Sequence, residues 1–553
     1  MKRIAFLLFA LCAIHLVSAA KIETVWPKGK MPHRQAHQIA AMLDEASAEG
    51  FCPDKHREAY IEWMPAPEKG VRTDACMILI SGGGYFSCCD VGLVDEWNRR
   101  FTQEGIQCVK FVYRTPRPQG LPIYQTAWED AQRAVRLIRS QARKRGINPE
   151  KIGVVSQSAG SHLALLLATS SQTPAYVTTD AEEGTPATRQ GYGVDVKLSS
   201  IYKFDARTCP MSLHHGGADE YSPNGSTLIY RELRKRGIPA ELHLYPGRPH
   251  GAYGLERGVE FMRQMEFYKP LEPEVDIMQR YDSDDACAKT VETDVWPEGK
   301  MPDAREKQCK PLIKWYFPKE KKTDAIQIIY SGGSYMGNDW NGFEVAPARR
   351  YLNQLGMTVV TMCYRTPRPE GLPKHVTAWQ DLQRAIKTVR SEASKYGLDG
   401  NQVGIMGSSA GGHLTLMGVT SSMHQSYLPM DDIDRIPCNV QWGIGIYPAY
   451  VLKDGADGHN SHGGNTDEDT LVPEFSFDLQ TAPMLFIHGD ADGYASMGSV
   501  KVWEKMRSMG IQSELHTLAL RQHCFQRKAS PGTGSYTWLD RIAEYLRDRK
   551  ILP

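Results

Sequence analysis

Residues 403–414 read VGIMGSSAGGHL. A short apolar run enters Gly407-Ser408-Ser409-Ala410-Gly411, and a run with helical character follows. The pattern predicts a strand, a sharp turn and a helix. Small residues on either side allow the tight turn, which pushes Ser409 out at its apex. The helix N-terminus behind that serine favours negative charge developing there. Residues 152–163, IGVVSQSAGSHL, repeat the arrangement, with Ser158 in the place of Ser409 and Ser156 in the place of Gly407.

The repetition extends along the chain. VWPKGKMP at 25–32 returns as VWPEGKMP at 295–302, and SGGGY at 81–85 returns as SGGSY at 331–335. YRTPRPQGLP at 113–122 returns as YRTPRPEGLP at 364–373. From Tyr113 to Thr169 the match to 364–420 has no gap, and 29 of the 57 positions are identical. A period of about 250–273 residues is too long for a solenoid unit and marks duplication of a whole domain. The changing offset gives the first repeat about 20 extra residues near 36–62 and about 22 fewer between Thr169 and Tyr202. The expected organisation is a leader at 1–20, a first domain at 21–275, a linker at 276–290 and a second domain at 291–553.

Within the second repeat the apolar runs AIQIIY, TVVTMCY, QVGIMG, VQWGIGIY and MLFIHG alternate with helical patterns such as TAWQDLQRAIKTVRSEASKYG. Short buried-type strands alternating with helices predict α/β domains, each a mostly parallel sheet with helices on both faces. Chemistry then gathers at the carboxyl ends of the strands.

A serine needs a base, and the base needs an orienting carboxylate. In the second repeat MLFIHGDADGY ends a strand in two carboxylates. Asp492 is preferred to Asp490, because the first repeat has Gly217 opposite Asp490 but keeps Asp219 opposite Asp492. His523 and His250 follow their aspartates by 31 residues in both repeats. Ser-Asp-His, each after a strand, is the α/β-hydrolase order. The candidate sets are Ser158, Asp219 and His250 in the first repeat, and Ser409, Asp492 and His523 in the second. For the oxyanion, the backbone of Gly83 and Gly84 would act with Ala159, and that of Gly332, Gly333 and Ser334 with Ala410. His243 and His516 repeat as well as the proposed bases do, but lie inside strands and are read as structural. His162, His413, Trp128 and Trp379 are read in the same way.

Composition sets the frame. The 553 residues are 41% hydrophobic and 23% charged, ordinary for a globular protein. Lys and Arg total 65 against 64 Asp and Glu, so net charge gives no reason to expect nucleic acid or an anionic membrane as partner. The first twenty residues, MKRIAFLLFALCAIHLVSAA, have a basic start, an apolar run and small residues at the end. They predict a cleaved secretory signal and a secreted or periplasmic protein. Removing Cys12 with it leaves eleven of the twelve cysteines, an odd number with no metal-type spacing and no assignable pairing.

The motif set resembles secreted bacterial α/β-hydrolases of the acetyl xylan esterase and feruloyl/acetyl carbohydrate esterase type. The resemblance rests on VWPKGKMP, SGGGY, DAQRA at 130–134, SSAGGHL at 408–414, HGDAD at 488–492 and His523. It implies a serine carboxylic-ester hydrolase acting on acylated carbohydrate or another small ester, with no metal or organic cofactor. Each repeat departs from the pattern. The first has Ser156 and Ser161 for Gly407 and Gly412, and lacks the strand matching VQWGIGIYPAYVL, unless GYGVDV at 191–196 is its remnant. The second has Ser334 in the glycine turn and Cys524 after His523. The second repeat is the one expected to be active. The alternatives are a serine peptidase of the prolyl-oligopeptidase type, and a glycan-binding protein with one or both domains degenerate.

Overall fold

The computed structural model describes residues 21–34, 58–68, 70–88, 91–170, 172–176, 201–453 and 470–553. The expected leader at 1–20, most of the insertion near 36–62 and the GYGVDV segment lie outside the described residues. The described residues fall into two compact units: those up to Leu167 with 172–176, and 168–170 with 201–553.

The first unit holds a five-stranded sheet of β1 (Lys21–Thr24), β2 (Tyr60–Trp63), β3 (Cys76–Ile80), β4 (Gln107–Val112) and β5 (Ile152–Ser156). The order is β1-β2-β4-β3-β5. β3 runs parallel to β4 and β5, and β1 and β2 are antiparallel additions. All five residues of β3 are buried, as a strand covered on both faces requires.

The second unit holds ten strands in one sheet. From the first repeat come β6 (Met211–Gly216) and β7 (Ala240–Tyr245). The two-residue β8 (Val275–Asp276) lies outside this sheet. From the second repeat come β9 (Cys287–Asp294), β10 (Leu312–Pro318), β11 (Ile326–Tyr330), β12 (Thr358–Cys363) and β13 (Val403–Ser408). They are followed by β14 (Trp442–Ile446), β15 (Met484–Gly489) and β16 (Glu514–Leu518). The order is β6-β7-β16-β15-β14-β13-β11-β12-β10-β9. The run from β12 to β16 is parallel, and β7 joins β16 antiparallel through Leu244 opposite Leu515 and His243 opposite His516.

The division falls where the second repeat carries a strand that the described residues of the first do not show. In the second repeat β14 sits between β13 and β15 and carries the pairing across. Among the described residues the first repeat has no counterpart of β14. There β5 ends one sheet and β6 ends the other. Sequence similarity treats 21–275 as one domain, whereas its second half extends the sheet of the second repeat.

The segment expected to be a linker is also anchored. β8 pairs with β17 (Lys528–Ala529), and Asp276 caps the short helix Ile277–Arg280 by accepting from the Met278 N–H. Ile277 and Tyr281 are buried in the core with Leu352, Trp538 and Ile542. The acidic composition of the segment hides these two apolar anchors.

Three repeated motifs meet at one buried ion pair. Arg365 of YRTPRP donates through Nε to both carboxylate oxygens of Asp381, at 2.9 and 3.0 Å, and Trp296 of VWPEGKMP donates to Asp381 at 2.7 Å. Arg114, Asp130 and Trp26 repeat the arrangement, with the Trp26 contact at 2.6 Å. A fully buried charge persists only when paired and hydrogen-bonded. These repeated blocks are therefore scaffold, tying the chain entry to the helix Val376–Glu392 and to β12.

Candidate functional site

β13 ends at Ser408, and the helix Ala410–Thr420 begins two residues later. Ser409 stands between them with φ 54° and ψ −120°, and Ser158 has φ 53°. A serine in this backbone region costs of order 1–3 kcal/mol and persists where the surroundings fix it. Here the Ser409 N–H donates to Ile446 O at 3.0 Å, and Ser409 O accepts from the Ala449 and His413 N–H groups.

The glycine turns close over the serines. A Cβ at Gly332 would lie 2.6 Å from Ser409 Cβ, and one at Gly82 would lie 2.7 Å from Ser158 Cβ. Only glycine allows that approach. The Gly332 N–H donates to Glu344 Oε2 at 2.8 Å. This removes Gly332 from the expected oxyanion donors. Among the described residues no acceptor takes the N–H groups of Gly333, Ser334 or Ala410. Ser334 holds φ 57° where Gly84 holds φ 61°, and Cys524 holds φ 61° where the first repeat has Gly251. Ser334 thus keeps the glycine-favouring backbone state of Gly84, whereas Cys524 adopts one that Gly251 does not.

His523 links the serine to the acid. Its Nε2 lies 2.8 Å from Ser409 Oγ, and its Nδ1 lies 2.8 Å from Asp492 Oδ2. The Tyr494 N–H donates to Asp492 Oδ1 at 2.8 Å, and His488 Nε2 approaches Oδ2 at 3.3 Å. Burial alone would raise the Asp492 carboxyl, but His488 and His523 outweigh it and hold the group at about 2. An ionised Asp492 aligned on Nδ1 leaves Nε2 as the acceptor facing the serine.

In the first repeat Asp219 Oδ2 lies 2.9 Å from His250 Nδ1, and the Tyr221 N–H donates to Asp219 Oδ1 at 2.9 Å. His215 stands 3.4 Å from Asp219, as His488 stands by Asp492. This acid–base pair belongs to the second unit, whereas Ser158, Ala159, Gly83 and Gly84 belong to the first. Ser156 Oγ donates to Ser161 Oγ at 3.2 Å, so the two serines that replace Gly407 and Gly412 bond to each other.

Sequence reasoning missed Glu344 and Tyr447. Tyr447 donates to Glu344 Oε1 at 2.9 Å, and its ring packs on the His523 ring at 4.6 Å between centroids. Burial raises the Glu344 carboxyl, against the pull of the Gly332 N–H and the Tyr447 hydroxyl. Asp490, the rejected acid, instead accepts from Tyr230 at 2.9 Å and from Arg234 at 2.8 Å. A separate group, His375, His413 and Glu474, has metal-ligand chemistry.

The BD-FAE family model matches the chain twice, over residues 64–191 and 313–442. The chain is 27% identical over 194 residues to endo-1,4-beta-xylanase B of Butyrivibrio fibrisolvens, covering 28% of this chain and 30% of that protein. It is 30% identical over 111 residues to an acetylxylan esterase of Xylanibacter ruminicola, covering 20% and 22%. The chain thus spans less than a third of the length of these curated relatives. Among solved structures, an acetyl ester-xyloside bifunctional hydrolase from Caldicellulosiruptor lactoaceticus is similar, at 21% identity and a TM-score of 0.38, over 48% of this chain and 97% of that one. The BD-FAE model thus matches once in each repeat, and the fold is that of an α/β-hydrolase in tandem.

Proposed function

We propose that the second repeat is a serine carboxylic-ester hydrolase, with Ser409 as nucleophile, His523 as general base and then acid, and Asp492 as the orienting carboxylate. The observation that carries this reading is the unbroken line from Ser409 Oγ through His523 to Asp492, two contacts of 2.8 Å each. Ser409 Oγ attacks the ester carbonyl as His523 Nε2 takes its proton. The N–H groups of Ala410 and Gly333 receive the oxyanion, with Ser334 beside them. Collapse expels the alcohol, which takes the proton back from His523. Water, activated by the same imidazole, then releases the acid and restores Ser409.

The substrate class in this proposal is an O-acylated carbohydrate, and acetylated xylan is the first polymer to test. The support is the resemblance to an acetylxylan esterase and to a xylanase. The basic and apolar leader supports a secreted or periplasmic setting. Among the described residues no helix is long and apolar enough to cross a membrane. The test is acetate release from acetylated xylan by the parent protein and by Ser409→Ala. Release that persists in Ser409→Ala contradicts the assignment of this serine. A parent protein that hydrolyses neither p-nitrophenyl acetate nor the polymer contradicts the reaction class.

A further inference from the structure

His413 lies one turn into the helix that begins after Ser409, and it repeats as His162. Hydrolysis as proposed above uses neither histidine. In the second repeat two further ligand-type residues converge on His413. His375 is the N-cap of the helix Val376–Glu392, and Glu474 lies in the segment leading to β15. One ligand atom from each of the three lies within 4.8 Å of the other two. Both imidazoles are buried, and the Glu474 side chain is only 8% exposed. His375 Nδ1 stands 3.7 Å from Glu474 Oε1.

These spacings suit a small divalent metal. Tetrahedral zinc with ligands at about 2.0–2.1 Å separates its donors by roughly 3.4 Å, so closure needs shifts of about an ångström or less. His413 Nδ1 meets Tyr335 Oη at 2.9 Å. With Nδ1 engaged there, Nε2 is the nitrogen that would ligate, and such an outer hydrogen bond fixes the tautomer and plane of a ligating imidazole. Two imidazoles and one carboxylate select a borderline cation of the zinc type over calcium or magnesium, which take oxygen.

The first repeat supplies an internal control. His162 keeps its tyrosine, with Tyr85 Oη 2.7 Å from Nδ1. Opposite His375, however, stands Tyr124, its ring 5.3 Å from that of His162, and opposite Glu474 stands Ile201. The register is secure, because Ser421 Oγ donates to Glu474 O at 2.8 Å and Ser170 Oγ donates to Ile201 O at 2.7 Å. Two of three ligands are thus replaced together.

The geometry points to a zinc-type site built by His375, His413 and Glu474 in the second repeat, with the fourth position left to water. The metal would tie the start of the helix Val376–Glu392 to the helix behind Ser409 and, through Tyr335, to the glycine turn. The ligands stand 38 and 61 residues apart, which is why no motif spacing reveals them.

The test is zinc content of the full chain after chelator treatment and dialysis against Zn²⁺, with competition by a chromogenic chelator. No turnover enters the readout, so the result is separate from that of ester hydrolysis. The expected result is one tight equivalent per chain and a melting temperature that rises with zinc. The double variant His375→Tyr/Glu474→Ile, carrying the first repeat's residues, should lose both while keeping the parent circular dichroism. Glu474→Gln, nearly the same shape, should weaken zinc binding at least tenfold and serves if the double variant does not fold. No tight equivalent in the parent, or an equivalent kept undiminished in the variants, overturns the proposal.

Discussion

His243 and His516 meet Nδ1 to Nδ1 at 2.8 Å where β7 joins β16. They are equivalent positions of the two repeats, 273 residues apart. His243 Nε2 contacts Glu241 at 3.0 Å, and His516 Nε2 contacts Glu514 at 2.7 Å. Burial holds both imidazoles neutral, well below their usual range. One Nδ1 must then donate and the other accept. The imidazole that donates through Nδ1 offers only a lone pair at Nε2, so the glutamate facing it must carry a proton. Burial pushes both glutamates up to about 8, which permits this.

A double-mutant cycle should expose the coupling. His243→Ala and His516→Ala are each expected to cost about 3 kcal/mol, because each leaves buried polar partners unsatisfied. The double variant should cost less than the sum by about 1 kcal/mol or more. Urea unfolding of the four proteins checks this, and strict additivity would mean that the two rings do not act as a pair.

The second prediction concerns Asp492. Its carboxyl is held at about 2, below the ordinary value near 4. A lowered folded-state value stabilises the protein fully above about pH 4 and is lost as the pH falls towards 2. The loss should be about 2 kcal/mol. Unfolding midpoints between pH 5 and pH 2 should fall less steeply in Asp492→Asn than in the parent.

Glu344 is expected to act as a positioning residue. It anchors the Gly332 N–H and the Tyr447 hydroxyl, and Tyr447 packs on His523. Glu344→Ala should lower kcat for p-nitrophenyl acetate roughly tenfold to a hundredfold with little change in KM, since the loss falls on transition-state geometry. Glu344→Gln, which can still accept from Gly332, should recover most of it. Equal kcat in the parent and Glu344→Ala would remove the role.

Gly404 makes room for the Trp442 ring, which would lie 1.9 Å from an added Cβ. Trp442 is buried in the core and donates to Gln327 at 2.7 Å. Gly404→Ala should therefore destabilise the second unit by about 1–3 kcal/mol through overpacking. A lower denaturation midpoint with the same slope would show it.

Much of this was legible in the sequence, for identifiable reasons. Ser409, Asp492 and His523 each follow a strand, and the duplication printed the pattern twice. Gly217 opposite Asp490 separated two adjacent carboxylates. The fold shows what Asp490 does instead, since Arg234 reaches Asp490, and the equivalent Arg507 reaches Gly217 O at 3.4 Å. The assembly of strands was not legible. Nothing in AELHLY announces that β7 pairs with its own repeat copy, because a strand edge reads the same whichever partner it takes. Glu344 was invisible because its partners are a backbone N–H and a tyrosine about 100 residues away. His375 and Glu474 were invisible for the same reason of distance.

The most direct test of the central claim is the rate of p-nitrophenyl acetate hydrolysis by the parent protein, Ser409→Ala and Ser158→Ala. The account predicts that Ser409→Ala loses at least a thousandfold in kcat, on the order seen when a triad nucleophile is removed, while Ser158→Ala keeps a substantial rate. Undiminished turnover in Ser409→Ala would contradict it.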